Sequence, residues 1–183
     1  MTNLRIAILL FAAVVFSALS LAQQPAFTVG TASAAAGQKA TGFIEVPAGS
    51  DAATSIPVIV IRGAKPGPVL ALVSGSHGTE YASIIALEKI IPLLDPAQIS
   101  GTVIIVPLVN RASFDQKVPH VNPVDGKSMN RFYPGNANGT QTERASWLIS
   151  SASCRARSRA FNSRNTMAPA DRLNSRPAVA SHW

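Results

Sequence analysis

The sequence predicts an α/β fold built on a strand–helix–strand unit. Three observations carry that prediction. Apolar runs at residues 56–61, 69–74 and 101–109 do not alternate with polar residues, as strands covered on both faces require. Between the second and third runs the apolar period becomes helical: Ile84, Leu87, Ile91 and Leu94 form one stripe, widened by Ile85 and Ile90. Gly75 and Gly78 sit where strand gives way to helix, and glycine lets the backbone turn sharply there. Such a unit is normally parallel and right-handed. In open α/β sheets ligands gather beyond the carboxyl ends of the strands. His77, Glu80, Asn110 and Arg111 all fall at such ends.

The chain opens on Arg5 and an unbroken apolar run at residues 6–21, closing on Ser20-Leu21-Ala22 before polar Gln23-Gln24. Residues 1–22 therefore read as a secretory signal peptide; the alternative, an uncleaved anchor, needs a longer apolar run. A secreted or periplasmic address follows, with no stable membrane span after cleavage. Cys154 is the only cysteine of the 183 residues, so no internal disulfide can hold the mature fold.

Residues 23–40 are Ala/Ser/Thr-rich and weakly patterned, a loose lead-in to a domain over residues 41–149. A short strand is expected at residues 41–46. Ala64-Lys65-Pro66-Gly67 supplies turn chemistry between the next two strands. Pro92 should kink or end the helix that starts near Glu80, and Asp95-Pro96 stops it. Residues 110–139 are a long connection rich in Pro, Asn and Gly, and loops of that length are often functional. Thr140-Gln141-Thr142-Glu143 is a capping box that should open another helix. Asn138-Gly139-Thr140 also matches a glycosylation acceptor, though a turn before that helix is the simpler reading.

After Ile149 the apolar pattern collapses. Residues 150–183 hold six Arg, no Lys and one acid, Asp171, whereas residues 23–149 hold nine basic and eight acidic side chains. Most of the net charge of +7 thus belongs to the tail. Its composition predicts a disordered basic segment, either native or the product of an out-of-frame end. An arginine-rich tail could also bind nucleic acid or an anionic membrane. Phe161 is isolated and Trp183 is terminal, so no stacking platform is evident and no nucleic-acid partner is expected.

His77-Gly78-Thr79-Glu80 is the first constellation with chemistry. An imidazole at a strand end and a carboxylate in the next helix's first turn can face one point. Zinc accepts both donor types at about 2.0–2.2 Å, with three protein ligands in catalytic sites. The plain alternative is a loop histidine beside a glutamate that favours the helix N-terminus. Asn130-Arg131-Phe132-Tyr133-Pro134-Gly135 is the second. A guanidinium fork matches a carboxylate with two parallel hydrogen bonds, and the neighbouring amide can fix the other oxygen. The alternative is a turn asparagine beside a solvated arginine.

Taken together, Gly75-Ser76-His77-Gly78-Thr79-Glu80-Tyr81, Val106-Pro107-Leu108-Val109-Asn110 and Asn122-Pro123-Val124-Asp125-Gly126-Lys127-Ser128-Met129-Asn130-Arg131-Phe132-Tyr133-Pro134-Gly135 resemble the N-terminal portion of the succinylglutamate desuccinylase/aspartoacylase family, within the zinc carboxypeptidase superfamily. The resemblance covers residues 42–149. It implies a mixed, largely parallel twisted sheet with flanking helices, here incomplete. It implies one catalytic Zn2+, with His77 and Glu80 as metal ligands and Asn130 and Arg131 binding a substrate carboxylate. The implied reaction is hydrolysis of an amide or related acyl bond in a small acylated, carboxylate-bearing substrate.

Departures from the family pattern qualify that expectation. Members usually carry Asp-Leu before the Asn-Arg pair, where this chain has Ser128-Met129. A carbonyl-polarising arginine expected upstream is replaced by Asp115-Gln116-Lys117, with Lys117 the one candidate substitute. A third zinc-binding histidine and a catalytic glutamate would fall beyond Ile149. His182 has no comparable setting; His120 is a candidate rescue ligand, against the ordinary reading of a surface histidine. Two ligands hold zinc weakly, and without a base the water is poorly activated. The sequence therefore predicts a truncated hydrolase with little or no activity, or a non-catalytic fragment keeping a metal or carboxylate half-site.

Overall fold

The computed structural model describes residues 25–162. The signal-peptide reading of residues 1–22, the basic segment past residue 162 and His182 lie outside the described residues. Strands β1 (Phe27–Val29), β2 (Ala32–Ala34), β3 (Gln38–Val46), β4 (Thr54–Arg62) and β5 (Lys65–Val73) precede helix α1 (Tyr81–Leu93) and strand β6 (Ser100–Val106). Helix α2 (Arg111–Gln116), a 3-10 turn (Met129–Arg131) and helix α3 (Gln141–Asn162) follow.

Four strands form a mixed sheet in the order β3-β4-β6-β5. β5 and β6 pair in parallel, Val69 opposite Thr102 through Val73 opposite Val106. Helix α1 connects them, so the expected strand–helix–strand unit is present. The other two pairings, β3 with β4 and β4 with β6, are antiparallel. β3 and β4 are joined directly as a hairpin, which is why the sheet is mixed from its first edge.

Alternation along the central strands divides the core into two faces. Ile56, Val58, Val60, Ile104 and Val106 point to one face, where Ala145 and Ile149 of α3 close over them. Ile59, Ile61 and Ile105 point to the other and meet Leu87, Ile90, Ile91 and Leu94 from α1 and its C-terminal end. The stripe read from the helical period thus docks as expected. Ile85 does not share it: its side chain is 48% exposed, because one residue past Ile84 rotates it about 100° away.

Several elements differ from the sequence expectation. Residues 27–34, within the segment read as a loose lead-in, form the β1–β2 hairpin. Gly30 takes φ +56 at its tip, and Val29, Ala32 and Ala34 are buried against the sheet; small residues suffice where backbones approach closely. The stretch at Lys65-Pro66-Gly67 belongs to β5 rather than to a turn, with a register shift between Lys65 and Val69. Proline is tolerated because β5 is an edge of the described sheet. β5 is also not covered on both faces as read: Leu70 is 54% exposed. Helix α2 and the 3-10 turn lie inside the connection read as irregular. α3 continues to Asn162, well past Ile149. That stretch lacks an apolar period, yet Ala and Arg have high intrinsic helix propensity.

The N-terminus of α3 shows how local chemistry fixes these elements. Of the capping box, the glutamate half forms: Glu143 Oε2 accepts from Thr140 N at 2.8 Å. Thr140 Oγ1 donates to the same oxygen instead of capping a backbone N–H. Lys127 Nζ lies 3.0 Å from it as well. The backbone bond from Thr140 and the contact to Lys127 hold the Glu143 carboxyl below its ordinary value of 4.5. A lowered folded pKa means stability present above the unfolded value and lost as pH falls through the folded one. Glu143→Gln should therefore lower the urea midpoint at pH 7, and the gap to wild type should close below about pH 4. A gap that persists unchanged at pH 3 would contradict this assignment.

Candidate functional site

The site is built where the parallel pair ends. Ser74 N donates to Val106 O at 2.9 Å, and Val109 N and Asn110 N donate to Ser74 O and Gly75 O at 3.2 and 2.9 Å. These bonds carry the pairing past both strand ends and fix the two loops side by side. Gly75 adopts φ +68, and a Cβ there would lie 2.8 Å from Leu108 Cα; only glycine fits. Asn110 caps α2 by accepting from Ser113 N, and its amide donates to Ser76 O at 3.2 Å. Gly78 N in turn donates to Ser113 Oγ at 2.9 Å. Loop and short helix therefore grip each other on both sides of His77.

A turn closed by Glu80 N donating to His77 O at 3.1 Å presents the two predicted donors together. His77 Nδ1 and Glu80 Oε1 lie 2.7 Å apart. Glu80 is the N-cap of α1 rather than a first-turn residue. Its side chain caps no backbone N–H, which leaves the carboxylate free for the imidazole. The histidine side chain is 14% exposed and the glutamate 55%, so the pair opens to solvent from the glutamate side.

His77 Nε2 faces Ser128 Oγ at 3.2 Å, and Ser128 Oγ donates to Asn130 Oδ1 at 2.8 Å. The ring is thus held at both nitrogens, Nε2 turned to Ser128 and Nδ1 to Glu80. The relay links both predicted constellations, from His77 through Ser128 to Asn130. Arg131 follows on the 3-10 turn, its backbone N donating to Ser128 O at 3.0 Å and its residue exposed; no described hydrogen bond or ion pair holds its guanidinium. Met129 between them is buried in the core at 1% exposed, which turns Ser128 and Asn130 outward. Lys117, the candidate for a missing arginine, is the exposed left-handed C-cap of α2, and no described contact joins it to His77. His120, three residues on, packs its ring against that of His77 instead.

Tyr133 also reaches this rim, its hydroxyl 3.4 Å from Ser76 Oγ. Burial of the phenol raises its pKa, partly offset by the Ser76 contact, so the group is protonated at neutral pH.

The segment carrying Ser128 and Asn130 is pinned to α3. Asp125 Oδ2 accepts from Thr142 N and Oδ1 from Thr142 Oγ1, both at 2.8 Å. Oδ1 also accepts from Lys127 N at 3.1 Å. Buried Asn122 donates to Gln141 Oε1 and Thr142 Oγ1. These residues read from sequence as turn chemistry alone. Their long-range bonds, with Asp51 Oδ2 accepting from Gln141 N at 2.8 Å, make two distant carboxylates the actual caps of α3.

The donor chemistry fits zinc as a pair: one imidazole nitrogen and one carboxylate oxygen, aimed at a common point. Two ligands at about 2.05 Å in tetrahedral geometry stand about 3.3 Å apart. The pair is therefore closed by a few tenths of an ångström around its own hydrogen bond. Among the described residues, no group of three His, Cys, Asp or Glu is placed to hold a metal.

The family model for the succinylglutamate desuccinylase/aspartoacylase catalytic domain matches residues 66–169, more than half of the chain. The chain belongs to this family. It is one of zinc-dependent hydrolases, and the match runs past Ile149, beyond the end that pattern alone suggested. A curated relative, the N-alpha-acetyl-L-2,4-diaminobutyric acid deacetylase of Halomonas elongata, is 36% identical over 107 residues, covering 56% of this chain and 31% of that protein. An aspartoacylase family protein from Mesorhizobium loti superposes with a TM-score of 0.58 at 31% identity, over 70% of this chain and 40% of its own. A succinylglutamate desuccinylase/aspartoacylase from Rhodobacter sphaeroides gives 0.54 at 30% identity, over 61% and 34%. The chain thus spans about a third of the length of these desuccinylase/aspartoacylase relatives.

Asp125→Ala removes two hydrogen bonds that tie the site loop to Thr142 of α3 and one within the loop to Lys127 N, and should cost about 1–2 kcal/mol, the range of a lost helix cap. Urea denaturation measures it; a change below about 0.3 kcal/mol would show that the loop holds without Asp125.

Proposed function

We propose that this chain carries the metal-anchoring and carboxylate-binding part of a zinc-dependent deacylase. The substrates would be small N-acylated compounds with a carboxylate, cleaved at an amide or ester bond. The observation that carries this reading is the 2.7 Å approach of His77 Nδ1 and Glu80 Oε1 at the strand-end rim. Those two side chains would hold the ion. When bound, zinc supplies Lewis-acid polarisation of the acyl carbonyl and activation of water.

The chain's own residues do the rest of the positioning. Ser128 Oγ lies 3.2 Å from His77 Nε2; with zinc on Nδ1, Nε2–H would donate to that hydroxyl, which would fix the ring orientation as outer-shell partners of ligating histidines do. The exposed Arg131 guanidinium offers a bidentate fork to the substrate carboxylate, with the Asn130 amide beside it. The acetylated amino acid in the name of the Halomonas elongata relative supports that substrate class. The leader-like residues 1–22 support an address outside the cytoplasm.

Activity of this chain alone is a separate matter. Among the described residues no third His, Cys, Asp or Glu groups with the pair as a metal site, and no carboxylate is assigned here as general base. Without one, proton transfer loses a contribution of about 10²–10⁴-fold. The expected result is zinc binding with little or no deacylase turnover.

Calorimetric zinc titration of the full chain tests the anchor. His77→Ala and Glu80→Gln should abolish the site, and Ser128→Ala should weaken it by about 10–100-fold. Zinc binding that ignores His77→Ala would sink the assignment. A parallel assay with an N-acetylated diamino acid, with and without chelator, should stay at background. Chelator-sensitive turnover would instead mean that the base lies within these residues.

A further inference from the structure

We propose that Asn138 is a site of spontaneous deamidation, at which the backbone nitrogen of Gly139 displaces the side-chain amide and leaves a new carboxylate just ahead of α3. This inference is independent of the metal reading of His77 and Glu80.

The reaction needs an asparagine followed by a residue that neither shields its own nitrogen nor resists a change of backbone angle. Glycine meets both conditions, and Asn138-Gly139 is the only Asn-Gly pair in the chain. Gly139 N forms a bond to Asn138 Cγ and gives up its proton. The Cγ–Nδ2 bond breaks, and the amide nitrogen leaves with that proton as ammonia. Water then opens the resulting cyclic imide. Attack at the side-chain carbonyl leaves an aspartyl residue; attack at the backbone carbonyl leaves an isoaspartyl linkage. Either product replaces a neutral amide by a carboxylate that is ionised at neutral pH. Water is the one co-reactant, and no electrons are exchanged.

The fold leaves this pair open. Asn138 is exposed, in the turn that precedes α3. Its backbone N donates to Asn136 Oδ1 at 3.0 Å, but no described hydrogen bond holds its side-chain amide. Gly139 N donates to Asn136 O at 3.2 Å, at the long end of the range for such bonds. Attack requires opening that one bond within a four-residue turn.

Asp125-Gly126 is the contrast within the same chain, since an aspartate before glycine can close the same ring. There Oδ1 accepts from Thr142 Oγ1 and Lys127 N, and Oδ2 accepts from Thr142 N. Gly126 N donates to Asn122 O at 2.8 Å, and Asn122 is buried. That carboxylate is locked in place, whereas the Asn138 amide is free to turn.

The position gives the product a consequence. Gly139 O accepts from buried Arg144, and Thr140 N donates to Glu143. A carboxylate at position 138 therefore adds negative charge toward the positive end of α3, where charge of that sign is favoured.

The test incubates the full chain at mildly alkaline pH, folded and in urea, and follows conversion by anion exchange and by mass spectrometry of proteolytic peptides. The urea sample sets the intrinsic rate of each pair. An exposed turn needs little local opening, so position 138 of the folded chain should convert within about tenfold of that rate. Aspartyl and isoaspartyl peptides should both appear there. Asn138→Gln keeps the amide but must close a larger, slower ring, and should abolish the acidic species. Protection of position 138 beyond about tenfold would overturn the proposal. So would an acidic species that forms as fast in Asn138→Gln, or isoaspartate arising in the folded chain at position 125 instead of 138.

Discussion

The parallel pairing of β5 with β6 is the constraint on which the site depends. Its ladder runs on past the strand ends, through Ser74, Val109 and Asn110, and so fixes the height at which the next residues leave the sheet. Gly75 then turns the chain where any side chain would strike Leu108. Only after that does the turn from His77 to Glu80 bring an imidazole and a carboxylate together. A register slip of one residue would move every strand side chain to the opposite face. The donor pair would be carried away from Ser128 with it.

A second anchor acts from the other side of the molecule. The first turn of α3 has backbone N–H groups without intrahelical partners, and Asp51 and Asp125 satisfy two of them. Both carboxylates also sit at the positive end of the helix, where negative charge is favoured. Asp125 belongs to the segment that carries Ser128, Asn130 and Arg131. The helix cap and the site loop are therefore one structure. Buried Arg144 extends it by donating to the carbonyls of Pro47, Asp51 and Gly139, which ties the β3–β4 connection to the same helix.

The strand–helix–strand unit was legible because its signals are local. Burial on both faces makes β4 and β6 continuous apolar runs, and the helical stripe of α1 is set by period alone. The His77–Glu80 pair was legible for a similar reason, since both residues lie within one turn. Ser128 was noticed only as a departure from the family's usual aspartate. Its contact with His77 spans 51 residues in sequence, and spacing carries no trace of it. Asp125 read as part of a turn, because its bonds to Thr142 depend on where α3 docks. The β1–β2 hairpin was missed because alanines and serines show little pattern, yet they fit where Ala32 and Ala34 pack at close range. β5 read as a covered strand, because apolar composition does not say whether a neighbour lies on each side.

The closed state of the donor pair has a physical consequence. At 2.7 Å the imidazole and the carboxylate satisfy each other, so burying His77 leaves no unpaired polar nitrogen. In the proposed zinc site the ion would take the place of this hydrogen bond and widen the pair by roughly half an ångström to reach ligand spacing. The Ser128 hydroxyl sets how readily that happens. A carboxylate in its place would raise the basicity of the ring, as it does behind zinc-bound histidines. A neutral hydroxyl orients the ring without that electrostatic gain.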